Sequence, residues 1–182
     1  MMLLKSVVPL AVVALAATVL ADVKTISDSL KTINKDLTAL DGAVRKFDGQ
    51  IFSALPIIGA SNKLEGSLKS GTATAKESTP LSSDDALVIA DLVGGLAGNA
   101  KKTVDDLISQ KPKFDKLFIV SPIVLSTTKK LRAATANFSE AVIEKVPSEL
   151  NAVAKDLVKG IDDDFGRAVK AYSGGAAVPF TA

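Results

Sequence analysis

The chain has 182 residues, 47% of them apolar and 23% charged, with a formal net charge of +2 and neither cysteine nor histidine. That length accommodates one ordinary domain with enough apolar residues to build its own core. The missing residue types exclude Ser-His-Asp and Cys-His nucleophilic sites, imidazole ligation or pH switching, disulfides and zinc fingers, and so small a net charge leaves no polyelectrolyte footprint for nucleic acid.

Residues 1–21 read as a secretory leader. Lys5 is followed by an apolar run from Val7 to Val13 and on to Leu20, and Val19-Leu20-Ala21 puts small residues where a signal peptidase inspects them. The run sits at the extreme N-terminus and a polar, periodic segment follows at once, which argues against a membrane span. Cleavage would remove 21 residues and Lys5, leaving 161 residues with a net charge of +1. A secreted domain without disulfides must hold itself together by packing, and this length allows it.

Residues 22–173 carry a helical period throughout, and no strand-like alternation of useful length appears. The spacing predicts an all-α bundle of five helices. In the first, Val23, Ile26, Leu30, Ile33, Leu37, Leu40, Val44, Phe47, Ile51 and Leu55 stand three or four apart, one stripe on one face. This heptad helix ends at Pro56 and would reach roughly 50 Å at ~1.5 Å per residue, unless Gly42 or Gly49 bends it. The second, Ile57 to about Lys76, is weakened by Gly59, Gly66 and Gly71.

Ser82 begins the third helix as its N-cap, with Asp85 completing a capping box and Asp84 and Asp85 suiting the positive end of the dipole. It runs to about Gln110, with Ile89, Leu92, Val93, Leu96, Ala100 and Val104 among its inward positions. The fourth opens at Pro112 and carries a stripe from Phe114 to Val142, with a kink or restart near Ser121 imposed by Pro122. The last opens at Pro147 and carries Leu150, Val153, Leu157, Ile161, Phe165, Val169 and Tyr172 before Gly174-Gly175 stops it. Residues 174–182 read as a loose tail.

Gly94-Gly95-Leu96-Ala97-Gly98 with Lys101-Lys102-Thr103 does not form a phosphate loop, because no glycine precedes a Lys-Ser/Thr pair and no strand leads in. Ala90, Gly94 and Gly98 read instead as a ridge for close helix approach. Asp162-Asp163-Asp164 cannot converge on one ion from a helix and reads as a solvated face, so no metal site is expected. No cofactor is expected either. Asn137-Phe138-Ser139 is a glycosylation sequon, and the inward Phe138 turns Asn137 towards solvent. No acid stands at an inward position where burial would tune it for catalysis, so an enzyme is not expected.

The interior lacks tryptophan and includes Ser121, Thr128 and Thr135 on its stripes. Two readings are open. Small residues let helices pack tightly while hydroxyls bond back to the preceding turn, or the bundle is incompletely filled and holds an apolar tunnel.

The order of these elements resembles the fungal hydrophobic surface-binding protein A and cell-wall galactomannoprotein family, over Val23 to Tyr172. The resemblance is carried by the long first helix, Pro80-Leu81-Ser82, Lys111-Pro112-Lys113-Phe114-Asp115, Val146-Pro147, Ile161-Asp162 with Phe165, and Tyr172-Ser173. It implies a non-enzymatic protein, secreted to the wall or medium, that adsorbs to hydrophobic surfaces and in some members binds fatty acids between its helices. The partners it implies are long-chain fatty acids or other lipids, hydrophobic surfaces and a recruited secreted hydrolase, with no nucleic acid and no transmembrane segment. Some members carry a C-terminal lipid-anchor signal; Ser173 to Ala182 lacks the apolar tail this needs.

With a tunnel, inward periodicity assigns Ile51, Leu55, Leu64, Leu92, Val124, Leu131, Leu157 and Phe165 to the acyl path and Thr128 or Thr135 to the head group. The competing expectations are a surface-active adhesion protein that opens its bundle on apolar surfaces and a structural wall glycoprotein.

Overall fold

The computed structural model describes the backbone of residues 10–174 and the side chains of residues 23–174. The first nine residues of the expected leader, and the expected tail beyond Gly174, lie outside the described residues. The described residues form six α-helices: α1 (Leu10–Arg45), α2 (Leu55–Glu77), α3 (Ser83–Ser109), α4 (Lys111–Asp115), α5 (Val120–Ile143) and α6 (Asn151–Ser173). Two 3-10 turns, Ile51–Ala54 and Ser148–Leu150, precede α2 and α6. Among the described residues no helix is long and apolar enough to cross a membrane.

The stripe from Ile26 to Phe47 is buried without a gap, as the three-four spacing requires. The helix nevertheless ends at Arg45 rather than running to Leu55. Gly49 adopts φ +92°, a left-handed conformation that favours glycine. The Asp48 side chain accepts from the Gln50 amide at 2.9 Å and from the Ser53 hydroxyl at 2.5 Å, closing an Asx turn. The turn swings Phe47 onto Phe114, ring centroids 4.1 Å apart and nearly parallel. Pro56 then serves the first turn of α2, where a backbone donor has no intrahelical partner anyway.

The fourth predicted helix is two. The five-residue α4 and the longer α5 are separated at Lys116–Ile119, and this division takes the count from five to six. Pro122 sits in the first turn of α5, so the break falls before the proline and its missing donor costs nothing. Similarly, Pro147 precedes a 3-10 turn and α6 starts at Asn151. Ser82 caps α3 as the sequence specifies, its hydroxyl accepting from the Asp85 amide at 3.2 Å. The Asp85 carboxylate accepts from that hydroxyl at 2.6 Å rather than from the Ser82 amide, so only half of the expected capping box forms.

Packing is cyclic. α1 contacts α2 and α3, α2 contacts α5, α5 contacts α6, and α6 returns to α3. Five long helices therefore form a closed ring, and each sends its apolar face to one axis. Helices about 10 Å across leave an axial space in such a ring that side chains alone must fill.

Polar contacts fix the register between helices. Asp36 is 1% exposed, with Ser67 of α2 donating at 2.6 Å and Lys63 at 3.0 Å. Asp41 is also buried and pairs with Lys102 of α3 at 2.6 Å. These two acids correct the expectation that no carboxylate lies inward. They flank the apolar stripe, at the seams where α1 meets α2 and α3, and periodicity does not report seams. The glycine ridge of α3 is also corrected: Gly94 and Gly98 are exposed, and nothing would meet an added Cβ at either. Close approach is found at Gly71 of α2 instead, where an added Cβ would stand 3.0 Å from the Phe138 ring and 3.3 Å from Ile33.

Candidate functional site

The axial space is real. A cavity of about 100 Å³ lies inside the ring, room for several water-sized spheres where interiors normally leave almost none. All five long helices line it: Leu30, Ile33 and Leu37 from α1, Leu64 and Leu68 from α2, Ile89, Val93 and Ala100 from α3, Phe138 and Val142 from α5, and Leu157, Ile161 and Phe165 from α6. The walls are small or medium aliphatics with two phenylalanines, and no residue as large as tryptophan closes the axis.

A second cavity, about 40 Å³, lies one helical turn further along, towards the 3-10 turn and α4. Leu40, Ser61, Thr103 and Leu131 line it, each three or four residues from a lining residue of the first. The two spaces thus sit end to end. On α1 they run from Leu30 to Val44, about 21 Å at 1.5 Å per residue.

The first cavity adjoins an outward groove of about 490 Å³ between α5 and α6, with which it shares Thr135, Ser139, Ile143, Val146, Val158 and Phe165. The groove is rimmed by Glu140, Glu144, Lys155 and a bidentate pair, Arg132 donating to Asp162 at 2.6 and 2.7 Å. That pair holds the Asp162 carboxyl below its ordinary range and clamps the mid-length of α6 to α5. Among the described residues the hydroxyls of Thr135 and Ser139 give no hydrogen bond to a protein group, although both stand where apolar cavity meets polar groove. The Asn151 side-chain oxygen, on the same groove, is buried without a partner.

Leu64, Thr135, Leu157 and Phe165 of the predicted residues meet in the larger cavity. Val124, Thr128 and Leu131 meet in the smaller one. Ile51 and Leu55 line neither space and are 53% and 60% exposed, because the Asp48-Gly49 turn rotates the chain out of the stripe. Leu92 packs on the rim of the core, and its neighbour Val93 faces the cavity instead. Thr128 donates to the Val124 carbonyl at 2.8 Å, the local helix bond open to any threonine. Asn137 is exposed, beside the buried Phe138 and Ser139.

Sequence reasoning passed over Ser139, Ala100, Ile161 and the α1 stripe as cavity walls. Their inward phase was legible; which inward residues face a void and which face one another depends on how the helices are paired. The three aspartates at 162–164 go to different cations: Asp162 to Arg132, Asp163 to Lys159, and Asp164 to Arg167 at 2.7 Å. Asp36 is pulled two ways: burial pushes its carboxyl up, and the Ser67 and Lys63 hydrogen bonds outweigh this and leave it below the ordinary range.

The family model for hydrophobic surface binding protein A matches residues 23–144. The chain belongs to this family. Among curated relatives, cell wall mannoprotein 1 of Aspergillus fumigatus is 32% identical over 139 residues, covering 76% of this chain and 48% of the relative. The Aspergillus flavus protein of the same name is 28% identical over 134 residues, covering 74% and 48%. The chain thus spans about half the length of the curated relatives it matches. Two solved structures share its fold. Ligand binding domain 1 of the Penicillium marneffei MP1 protein, complexed with arachidonic acids, superposes with a TM-score of 0.79 at 25% identity, covering 83% of this chain and 98% of that one. AFMP4P in complex with palmitic acid superposes at 0.80 and 25% identity, covering 82% and 99%.

Proposed function

We propose that this protein binds a long-chain fatty acid along the axis of its helical ring. The observation that carries the reading is the apolar cavity lined from all five long helices, which adjoins a polar-rimmed groove and shares Thr135 and Ser139 with it. The same fold in relatives crystallised with arachidonic and palmitic acids supports it. The acyl chain would lie between Leu64, Leu157, Phe165 and their neighbours, and extend towards Val124, Thr128 and Leu131 of the second space as the intervening layer shifts. The carboxylate would take the hydroxyls of Thr135 and Ser139. Burying about a dozen methylenes is worth roughly 10 kcal/mol gross, and an association cost of at least ~4 kcal/mol leaves micromolar-range affinity.

The role is one of binding rather than catalysis. The two buried carboxylates, Asp36 and Asp41, are held by Lys63 and Lys102 at helix seams and face no cavity. Secretion to the wall or medium is part of this reading, supported by the leader-like residues 1–21 and by the wall mannoproteins among its relatives. Asn137, exposed on α5, would carry the glycan. Recruitment of a secreted hydrolase would be a further role for a family defined by hydrophobic surface binding.

Native mass spectrometry of the purified protein tests the reading, with organic extraction of anything bound. A one-to-one adduct of fatty-acid mass is expected, together with a rise in melting temperature on adding palmitic or arachidonic acid. A mass that stays that of the bare chain after incubation with both acids would remove the carrier role and leave adsorption to apolar surfaces as the function.

A further inference from the structure

The large apolar side chains that remain exposed are not scattered. Among the described residues six of nine belong to two segments at one end of the bundle: Ile51, Phe52 and Leu55 beside the 3-10 turn, and Phe118, Ile119 and Ile123 at the α4–α5 junction. Phe52 and Phe118 are 78% and 79% exposed, an extreme for phenylalanine. The two segments form one tip. Phe47 stacks on Phe114, Lys113 donates to the Phe47 carbonyl at 3.2 Å, and Ala54, Ile57 and Ile58 share the wall of the smaller cavity with Phe114, Val120 and Ile123.

The tip has a basic collar. Residues 45–55 and 111–123 hold Arg45, Lys46, Lys111, Lys113 and Lys116 against only Asp48 and Asp115. Both acids are engaged locally, Asp48 by Ser53 and Gln50, and Asp115 by Lys111 and Ser121. Among the described residues Lys46 and Lys116 pair with no carboxylate. Exposed aromatic and aliphatic side chains ringed by unpaired lysines match a surface that is apolar inside and negative at its face, the profile of an anionic phospholipid bilayer. A solid apolar surface would offer nothing to the lysines, and a protein groove would not require aromatic residues projecting this far.

We propose that this end of the bundle docks on anionic lipid bilayers, with Phe52, Phe118 and Ile119 entering the acyl boundary and Lys46 and Lys116 meeting lipid phosphates. Ile123 belongs both to the exposed tip and to the wall of the smaller cavity. Docking therefore brings that cavity against hydrocarbon, and an acyl ligand could enter without crossing water. This entry route rests on the fatty-acid reading above; the docking does not.

Co-sedimentation with vesicles of phosphatidylcholine, alone or mixed with phosphatidylserine, tests it. The protein should partition more strongly onto the mixed vesicles, and the excess should fall as salt is raised. The double variant F52S/F118S should lose about tenfold or more on both vesicle types, since its anchors are gone. K46E/K116E should lose the preference for phosphatidylserine. These side chains are exposed, so circular dichroism should show native helix in all variants. V88S, at an exposed apolar position that lines neither cavity and lies outside both tip segments, should bind like wild type. Equal binding to both vesicle types, wild-type binding by F52S/F118S, or an equal loss in V88S would each overturn the proposal. Fatty-acid binding from solution is measured alongside: a protein that sediments with vesicles yet takes up no acid would keep the docking and remove the carrier role.

Discussion

The wall made by α1, α2 and α5 differs in kind from the wall made by α3 and α6. In the first, buried residues recur at nearly every turn, Gly71 admits the Phe138 ring to van der Waals contact, and Ile33 closes the gap behind it. In the second, α6 buries nothing fully before Ile161. Half-buried Leu157 and Val158 flank the cavity there, and Val153 is exposed. One wall is a close-packed slab that fixes the fold, and the other is a thinner cover over the axial space. Local stability follows packing density, so the cover is the element that can shift to make room along the axis while the slab stays whole.

The sharpest way to break this comparison is to truncate one side chain in each wall. Phe138→Ala should cost about 3–5 kcal/mol, and Leu157→Ala about 1 kcal/mol because its side chain is only half withdrawn from water. Chemical denaturation of both variants checks it, and equal losses would mean that the two walls are packed alike. Ala100→Leu addresses the space between them. It places a large side chain in the cavity, and calorimetric titration with palmitic acid should show affinity reduced about tenfold or more, about 1.4 kcal/mol, with little change in melting temperature.

The seam between α1 and α2, inside the slab, should also be pH-dependent. The folded-state Asp36 carboxyl lies below its ordinary value of about 3.9, so its contribution is present above that pH and is lost as pH falls through the lower folded value. Asp36→Asn should cost about 1 kcal/mol at pH 7, and its deficit against wild type should shrink as urea melts are repeated from about pH 4 downwards. A deficit independent of pH would assign the cost to packing.

The smallest effects come from glycine. Gly94→Ala meets nothing and gains helix propensity, so it should stabilise by about 0.5–1 kcal/mol. Gly71→Ala gains the same propensity but sets a methyl 3.0 Å from the buried Phe138 ring and 3.3 Å from Ile33, so both side chains must shift and melting temperature should fall. Opposite signs at the two glycines would show that Gly71 serves a close helix contact and Gly94 does not.

Much of this architecture was legible in the residues. The stripe from Ile26 to Phe47, the Ser82 cap and the inward phase of Leu64, Leu131 and Phe165 all follow from period and capping chemistry. The turn at Asp48-Gly49 was legible too, since this dipeptide favours a reversal, but the uninterrupted spacing through Ile51 and Leu55 concealed it. Spacing is kept by the chain whether or not the helix continues. The placement of Leu92 against Val93 was finer than periodicity resolves, because adjacent positions differ by only 100° around the axis.

By itself the sequence determined that the protein is helical, which faces of its helices are apolar, and that its chemistry excludes cysteine and histidine. These depend on neighbours along the chain, and local propensity and period are enough to set them. Tertiary structure alone decided that five long helices close into a ring, that the ring leaves an axial cavity, and that Asp36 is withdrawn from water. It also decided that Phe52 and Phe118, 66 positions apart, share one exposed tip. Each of these depends on which helix lies against which, and the apolar stripes are too alike to specify their partners until all of them pack at once.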